Sequence, residues 1–341
     1  MQRERSQAIR DFIIENVTEQ PGEITRVTAA KFGITRQAAL RHIQNLVEEG
    51  LLEAMGTTRN RVYKLKPIVQ EHFQFPLAPE LEEDVVWRNY IANLVVSLPK
   101  NVFDICHYGF SEIFNNVLDH SEGNRVTLSV LLTAKSVEMW VIDDGVGIFN
   151  KIKDQLGLED HRHAILELAK GKLTTDPEHH TGEGIFFTSR MFDRFSILSS
   201  HLFFDHQEPG DDWLIEHSPD GDTGTTVRMR ISPQCQRITR EVFERFAAEE
   251  HNYGFTRTHV PVNLLQYGEE NLVSRSQARR LLARFERFKE VLLDFEGVQM
   301  IGQAFADEIF RVFHQEQPGI KLVWVRANAD VERVIRAVLM T

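Results

Sequence analysis

Hydrophobic residues in the first 66 positions recur at helical spacing in three segments and then alternate in two short runs. The recurrence predicts three helices, over residues 6–15, 24–32 and 35–49. In the third segment Thr35 can cap the first turn through its hydroxyl, and Gly50 can end the helix. The two alternating runs predict short strands, at residues 51–53 and 61–65, joined by a hairpin tip at 55–60.

The rest of the chain divides into regions with different patterns. Residues 67–79 lack clear periodicity and contain three prolines, Pro67, Pro76 and Pro79, so we predict a linker there. The next region contains amphipathic helices over residues 81–98 and 101–120 and a strand over residues 137–142. Beyond about residue 247, strands and helices alternate, which predicts a small, mostly parallel α/β sheet. The whole pattern predicts a multidomain α+β chain with domains at residues 1–66, 80–235 and 250–341.

Charge is unevenly distributed along the 341 residues. The net charge of −11 argues against a protein that coats nucleic acid without specificity. Residues 1–66, however, carry 11 Lys and Arg against 8 Asp and Glu, a net of +3, which leaves −14 for the remainder. A basic module on an acidic body suits a small DNA-contacting head.

Several absences in the sequence bear on its compartment. No apolar run approaches the roughly 20 residues that a membrane-spanning helix needs. The first residues lack the apolar segment of a secretory signal. Cys106 and Cys235 match no redox or zinc-binding spacing. We therefore expect a cytoplasmic protein without membrane association.

Four short motifs in the middle of the chain carry candidate chemistry. Glu112, Asn116 and His120 stand four residues apart, so they share one face of the predicted helix. The turn Asp143-Asp144-Gly145-Val146-Gly147 follows the predicted strand about 30 residues later. Gly182 and Gly184 open a further helix, and Gly224-Thr225-Thr226 precedes a strand. Taken singly, these are an ordinary polar helix face and common turns, but their combination in this order favours a nucleotide site.

Residues 80–232, with these motifs, resemble the ATP-binding domain of sensor histidine kinases, gyrase-type ATPases and anti-sigma-factor kinases, the GHKL superfamily. The resemblance implies an α/β sandwich that binds ATP and Mg²⁺. It implies that Asn116 holds Mg²⁺ through its amide oxygen and that Glu112 is the catalytic residue that orients or deprotonates the attacking group. It makes Asp143 the acceptor for the adenine amine. The other implied ATP contacts are His120, Gly145, Gly147, Gly182, Gly184 and Thr225.

Between the glycine motifs, residues 149–180 would form the lid over ATP in such a domain, with Lys170 and Lys172 as its phosphate contacts. Two features depart from the family pattern. His180 replaces the first glycine of the second motif, and no helix with a phosphoacceptor histidine precedes the domain. The second departure disfavours an ordinary sensor kinase.

The order of elements in residues 1–66 resembles a winged helix-turn-helix. The resemblance implies that the third helix enters the major groove of DNA, with Arg36, Gln37 and Arg41 near base edges or phosphates. It also implies that Arg59 and Arg61 in the hairpin contact the DNA backbone or minor groove. Winged heads commonly act as dimers, so we expect a homodimer. The alternative is a protein-docking winged helix whose polar face is only solvated.

The C-terminal region resembles a STAS-like domain, the fold of anti-sigma-factor antagonists. Leu293-Asp294-Phe295 with Gly297-Val298, and Ala304-Phe305-Ala306-Asp307-Glu308, carry the resemblance. Ala304 stands at the position of the serine that phosphorylated antagonists use, so phosphotransfer at that position is excluded. A protein-binding role is expected instead, with Arg275, Arg279 and Arg280 on a face that can dock an acidic surface.

Together these features predict a DNA-binding transcriptional regulator that responds to Mg-ATP, with or without slow ATP hydrolysis. The alternative is a protein kinase of the partner-switching type that phosphorylates Ser, Thr or His on another protein. A scaffold that uses its three domains only for protein contacts is a third hypothesis, and it predicts no ATP affinity.

Overall fold

The computed structural model describes residues 2–57, 60–173, 182–208, 212–216, 224–247, 255–266 and 271–340. The predicted DNA contact Arg59 and the last part of the predicted lid, residues 174–180, which includes His180, lie outside these ranges. The described chain is a multidomain α+β protein with three separate sheets. Its described helices include none with the length and apolar character required to cross a membrane.

The N-terminal unit, residues 2–66, contains three helices followed by a two-stranded antiparallel hairpin. Its elements are α1 (Gln2–Asn16), α2 (Ile24–Phe32), α3 (Arg36–Glu48), β1 (Leu52–Met55) and β2 (Val62–Leu65). Gly33 ends α2 in the left-handed conformation, with φ of 60°, and the Thr35 hydroxyl accepts a hydrogen bond from the Ala38 amide at the start of α3. Ile13, Ile43 and Leu46 lie in a core that is separate from the core of the remaining chain.

The central unit, residues 67–247, is built on a seven-stranded sheet in which every neighbouring pair is antiparallel. Its elements are β3 (Val69–Pro76), α4 (Glu83–Val86), a π-helical turn (Trp87–Ile91), α5 (Ala92–Val95), α6 (Lys100–His120), β4 (Arg125–Leu132), β5 (Val137–Asp143), α7 (Ile148–Leu156), α8 (His161–Lys170), α9 (Gly184–Met191), β6 (Arg194–Ser199), β7 (Leu202–Gln207), β8 (Asp212–Glu216), β9 (Thr225–Ile231) and α10 (Thr239–Arg245). The strand order is β3-β4-β5-β9-β6-β7-β8.

Helix α6 packs closely on this sheet. Alternate residues of β4 and β9 are buried, which leaves one apolar face for the helix to cover. Gly109 makes the close approach possible, because a Cβ at this position would lie 3.1 Å from the sulfur of Met229 and would overlap the ring of Phe192. This packing fixes α6, with Glu112, Asn116 and His120, over the middle of the sheet.

The predicted linker at residues 67–79 is largely a strand. β3 pairs with β4 along its whole length, from Val69 opposite Leu132 to Pro76 opposite Arg125. Phe73 and Phe75 point to the same side of the strand and contact the ring of Tyr90, with centroid separations of 5.3 and 5.0 Å. The strand lies at the edge of the sheet and is mostly exposed, so its sequence lacks the continuous apolar alternation of a core strand.

The C-terminal unit, residues 255–340, has the parallel sheet that the strand–helix alternation predicted. Its elements are β10 (Arg257–Pro261), a 3₁₀ turn (Val262–Leu265), α11 (Arg275–Leu282), a second 3₁₀ turn (Phe285–Arg287), β11 (Glu290–Asp294), α12 (Gln303–Asp307), a π-helical turn (Glu308–Phe313), α13 (His314–Glu316), β12 (Lys321–Val325) and α14 (Ala329–Leu339). The strand order is β10-β11-β12.

The central and C-terminal units share one hydrophobic core. Phe255, which precedes β10, lies against Phe186 and Phe187 of α9, with centroid separations of 4.5 and 5.0 Å. The same ring contacts Phe288 of the C-terminal unit at 5.4 Å. Helix α9 is therefore held between the seven-stranded sheet and the parallel sheet.

Candidate functional site

A cavity of about 300 Å³ lies in the central unit, enclosed by α6, α7, α9 and the ends of strands β5 and β9. This volume is at the lower end for small-molecule pockets. The structure brings the predicted catalytic residue Glu112 and seven of the predicted ATP contacts together around it: Asn116, His120, Asp143, Gly147, Gly182, Gly184 and Thr225. Four motifs that are distant in sequence thus meet at one cavity.

Asp143 is the acid at the sheet end of the cavity. It is the last residue of β5 and is only 8% exposed. One carboxylate oxygen accepts a hydrogen bond of 2.9 Å from the Gly145 amide. Burial raises the pKa of Asp143, although hydrogen bonds from Gly145 and Thr225 oppose that shift. A buried carboxylate with acceptor capacity left can recognise an N–H donor of a ligand.

The neighbouring Asp144 has a different role. Its carboxylate accepts hydrogen bonds from the backbone amides of Asn124 and Arg125, at 2.7 and 2.9 Å. These bonds lower the pKa of Asp144. Asp144 therefore fastens the turn after α6 to the turn after β5, and only Asp143 lines the cavity.

Thr225 and Gly224 hold the turn that follows Asp143. Thr225 lies opposite Asp143 in the β5–β9 ladder, and its hydroxyl accepts a hydrogen bond of 3.0 Å from the Ile148 amide at the start of α7. A Cβ at Gly224 would overlap the carbonyl oxygen of Asp143. Asp143, the first turn of α7 and the start of β9 are therefore connected to one another.

The glycines after Asp143 differ in position. Gly147 lines the cavity with φ of 85°, a conformation that favours glycine. Gly145 does not line the cavity. A Cβ there would overlap the carbonyl oxygen of Ser121, so this glycine permits close contact between two turns instead of the predicted contact with ATP.

The opposite part of the cavity is rich in oxygen atoms. Glu112 and Asn116 line it from α6, and a Cβ at Gly184 would overlap the Glu112 carboxylate. Burial and then the charge of Glu112 raise the pKa of the nearby Tyr108 hydroxyl. Burial also raises the pKa of Glu183, with Lys172 opposing and Glu112 adding to the shift. Carboxylate and amide oxygens collected in this way suit a hard cation such as Mg²⁺.

The donors present fit Mg²⁺ better than zinc. Within the described ranges no group of three or more His, Cys, Asp or Glu side chains could hold a metal ion by itself. Mg²⁺ is commonly bound through one or two protein oxygens, with water and ligand phosphates completing its shell. Asn116 and Glu112 could supply those protein oxygens.

The structure places Lys170 away from the cavity, contrary to its predicted contact with phosphate. Its side chain is 0% exposed, and its ammonium group donates to the Glu167 carboxylate at 2.6 Å and to the carbonyl oxygen of Ala283 at 2.9 Å. Burial lowers the pKa of Lys170, and Glu167 opposes the shift. Lys170 therefore joins α8 to the C-terminal unit.

Lys172 is also directed toward the C-terminal unit and not into the cavity. Its ammonium group donates to the carbonyl oxygen of Arg287 at 2.9 Å. It also lies over the rings of Phe255 and Phe288, 5.6 and 5.1 Å from their centroids. The sequence near Lys172 does not indicate these contacts, because Arg287, Phe255 and Phe288 all lie more than 80 residues further along the chain.

Lys151 lines the cavity and was not predicted to do so. Its ammonium group, on the second turn of α7, donates to the carbonyl oxygen of His120 at 2.7 Å and to the Glu122 carboxylate at 2.9 Å. It is the one lysine among the described lining residues. Its position four residues after Gly147 is the signal that could have identified it. The other lining residues that the sequence did not predict are Ser121 and the members of an apolar wall: Ile113, Val117, Ile148, Ile152, Leu168, Leu173, Ile185, Phe186 and Val227.

The predicted DNA-contacting residues lie on the surface of the N-terminal unit. Arg36, Gln37 and Arg41 of α3 and Arg61 before β2 are all exposed. The other face of α3 is buried through Ala39, Ile43 and Leu46. The polar face is therefore accessible to a large partner.

Comparison with known families identifies the C-terminal unit. Residues 277–332 match the model of the STAS-like domain of unknown function (DUF4325). The C-terminal part of this chain is a STAS-like domain. The match confirms the resemblance seen in the sequence. No curated protein matches the chain.

The arginines of the STAS-like domain that were predicted to dock an acidic surface have two kinds of partner. Arg279 donates to Glu308 at 2.7 Å, and Arg275 lies 3.4 Å from Asp307, so both are paired within the domain. Arg280 instead faces the central unit, where it contacts His163 at 3.3 Å. Of these three arginines, Arg280 is therefore the one that contacts the central unit in the described part of the chain.

Proposed function

We propose that this chain is a DNA-binding transcriptional regulator whose domain arrangement responds to Mg-ATP bound in the central cavity. The observation that carries the proposal is the meeting of four separate motifs at one cavity. A buried acid lies at one part of the cavity, and a carboxamide and a carboxylate lie at another. This is the set of groups that a GHKL-type ATP site requires.

In this proposal Asp143 accepts a hydrogen bond from the exocyclic amine of adenine. The apolar wall, including Ile113, Ile152 and Val227, covers the base. Asn116 would hold Mg²⁺ through its amide oxygen, and the ion would offset negative charge on the phosphates. The backbone amides around Gly182 and Gly184, at the start of α9, bind phosphates. Lys151 supplies the positive charge near the phosphates that the family resemblance predicts for Lys170 and Lys172.

Helix α8 offers a route from the nucleotide to the STAS-like domain. Leu168 lines the cavity, and two residues later Lys170 contacts Ala283. The Thr258 hydroxyl of β10 donates to the carbonyl oxygen of Lys170 at 2.6 Å, and Arg284 donates to Glu167 at 2.6 Å. A displacement of α8 by bound nucleotide would break these buried contacts or move the domain with the helix. A ligand that favours the contacts of one domain arrangement over those of another shifts the equilibrium between the two arrangements.

Strand β5 offers a route from the nucleotide to the N-terminal unit. Asp143 is the last residue of β5, and the turn that precedes the strand contains Ala134 and Lys135. Ala134 packs against the core of the N-terminal unit, and the Lys135 ammonium group donates to the carbonyl oxygen of Glu15 at 2.6 Å. Strand β5, which is seven residues long, therefore connects Asp143 to the unit that is proposed to contact DNA.

The first test is equilibrium binding of a fluorescent ATP analogue in the presence of Mg²⁺. Asp143→Asn should weaken binding about 10- to 100-fold, because an amide turns a donor toward the base and leaves the base amine unpaired. Asn116→Ala should remove the Mg²⁺ dependence of binding. Asp144→Asn is the matched control and should bind like the wild type, since the Asp144 side chain does not line the cavity and accepts hydrogen bonds from Asn124 and Arg125 instead. Equal affinity in Asp143→Asn and Asp144→Asn would refute the ATP site.

The position of Glu112 keeps a second function open, a partner-switching protein kinase. Glu112 lies beside Gly184, where the phosphates are proposed to bind, and could activate an attacking hydroxyl or water. Incubation with γ-labelled ATP and candidate protein substrates separates the two functions. Label transferred to a protein and lost in Glu112→Gln favours the kinase. ATP binding without transfer favours the regulator.

A further inference from the structure

A second cavity, of about 330 Å³, lies between the central unit and the STAS-like domain. It shares no lining residue with the first cavity. Its lining consists mostly of charged and polar residues: Arg190, His206, Glu208, Arg245, Arg257, Thr258, His259, Asn263, Asp294, Glu296 and Arg326, with Phe246, Pro261 and Leu292 as the apolar part. None of the motifs assigned to the proposed ATP site reaches it.

Two of the acids in this cavity each contact one histidine and one arginine. Asp294 is 1% exposed and accepts hydrogen bonds from His259 at 2.6 Å and from Arg326 at 2.9 Å. These partners lower the pKa of Asp294 against the effect of burial. Glu208 lies 3.1 Å from Arg245 and 3.7 Å from His206. Burial opposes its ionisation, but His206 and Arg245 lower the pKa of Glu208 to about 2. Both acids therefore remain ionised, and each is held by one arginine and one histidine.

The lining is rich in guanidinium groups, since its described residues include four arginines and three carboxylates, before any protonation of its two histidines. Arg257 also donates to Glu290, which does not line the cavity, at 3.2 Å. Arg190 is 3% exposed and lies over the Phe186 ring, 4.2 Å from its centroid. The Nε atom of Arg257 and the Oδ1 atom of Asn263 are buried and have no hydrogen-bond partner among the residues that the structure describes. Buried polar atoms are rarely left unsatisfied in this way, which points to a missing polar group.

The cavity lies where α/β sheets usually bind ligands. The three parallel strands of the STAS-like domain end at Pro261, Asp294 and Val325. Asn263, Glu296 and Arg326 follow those ends and line the cavity. In open parallel sheets, ligands bind in the crevice outside the carboxyl ends of the strands. The chemistry of the lining and the topology of the sheet thus indicate the same site.

We propose that this second cavity binds a small multivalent anion, a phosphorylated or polycarboxylic metabolite. Guanidinium groups recognise both kinds of anion through paired N–H donors. The carboxylates of Asp294 and Glu208 hold their arginines in place and can also accept hydrogen bonds from hydroxyl groups of the ligand. The proposal is independent of ATP binding in the first cavity.

Isothermal titration calorimetry of the full chain with inorganic phosphate, and separately with citrate, tests this site. Saturable binding of at least one probe is expected, and the stronger probe identifies the class of metabolite. Arg257→Gln and Arg245→Gln should each weaken that binding about tenfold or more, because each removes a charge-assisted hydrogen bond. Arg240→Gln is the matched control, since Arg240 lies on the same helix as Arg245, is 72% exposed and does not line the cavity.

Two results would overturn the proposal. One is the absence of saturable binding of both probes to the wild-type chain. The other is binding that Arg245→Gln and Arg257→Gln leave unchanged, which would place the anion elsewhere. Arg245 is half-exposed, so its variant is expected to fold and remains informative if Arg257→Gln does not. A chain that failed to bind ATP would leave these outcomes unaffected.

Discussion

At the scale of single residues, Asp143 and Asp144 illustrate how the environment separates two identical side chains. Asp143 is buried, has a raised pKa and lines the cavity, whereas Asp144 is bound to backbone amides and has a lowered pKa. Burial of a charge that is only partly compensated costs stability. Such an acid at the end of a strand is therefore a candidate for ligand recognition.

The raised pKa of Asp143 predicts that ATP affinity falls at acid pH. Protonation removes an acceptor for the adenine amine, and it begins at a higher pH than for an ordinary aspartate. The folded protein holds this proton more tightly than the unfolded chain does. Protonation of Asp143 therefore stabilises the folded protein at pH values below the ordinary aspartate pKa, and this stabilisation is lost as the pH rises through the raised pKa of Asp143. Asp143→Asn should therefore keep or raise the melting temperature at neutral pH while losing ATP affinity.

Titration of analogue binding between pH 4 and pH 8 checks this expectation. The same titration on Asp143→Asn is the control, since it retains any effect of protonating the nucleotide itself. Parallel pH profiles for the wild type and the variant would show that Asp143 does not contribute.

At the scale of elements, α8 joins the cavity to the STAS-like domain through buried charges. Glu167 is paired with both Lys170 and Arg284, at 2.6 Å in each case. Glu167→Gln would leave two buried cations next to each other. We expect it to destabilise the protein by about 3–5 kcal/mol, the usual cost of breaking a buried pair. Glu159→Gln removes an exposed acid 4.0 Å from Arg280 and should change stability by less than about 0.5 kcal/mol.

Urea unfolding of both variants, followed by tryptophan fluorescence, measures this difference. The chain has several units, so the transitions of the central unit and the STAS-like domain should be analysed separately. Glu167→Gln should shift both transitions, because its partners belong to both units. A shift confined to one unit would contradict the proposed coupling through α8.

Local elements were predictable from the sequence, and contacts between distant segments were not. The helix with Glu112, Asn116 and His120 and the turn after Asp143 follow from spacing within a few residues. Lys170 was assigned to phosphate because its partners in the STAS-like domain lie 110 or more residues further along the chain. Strand β3 was missed because an exposed edge strand lacks a full apolar alternation.

At the scale of the whole molecule, the N-terminal unit provides an exposed basic surface that the proposal assigns to DNA. Arg36→Gln and Arg41→Gln should each weaken binding of a random-sequence DNA duplex pool and reduce the slope of log affinity against log salt by about one. Arg333→Gln, on α14 and 76% exposed, is the control. Fluorescence anisotropy at several salt concentrations provides the measurement. Unchanged slopes for both variants would favour a protein-docking role for this unit.

The central claim is that nucleotide in one cavity controls DNA contact by a separate unit. The most direct measurement is the affinity for DNA with and without saturating Mg-ATP, in the wild type and in Asp143→Asn. The account predicts that Mg-ATP changes the wild-type affinity at least about fivefold, a typical allosteric coupling, and leaves that of Asp143→Asn unchanged. Equal wild-type affinities with and without nucleotide, under conditions where ATP binding has been verified, would contradict it.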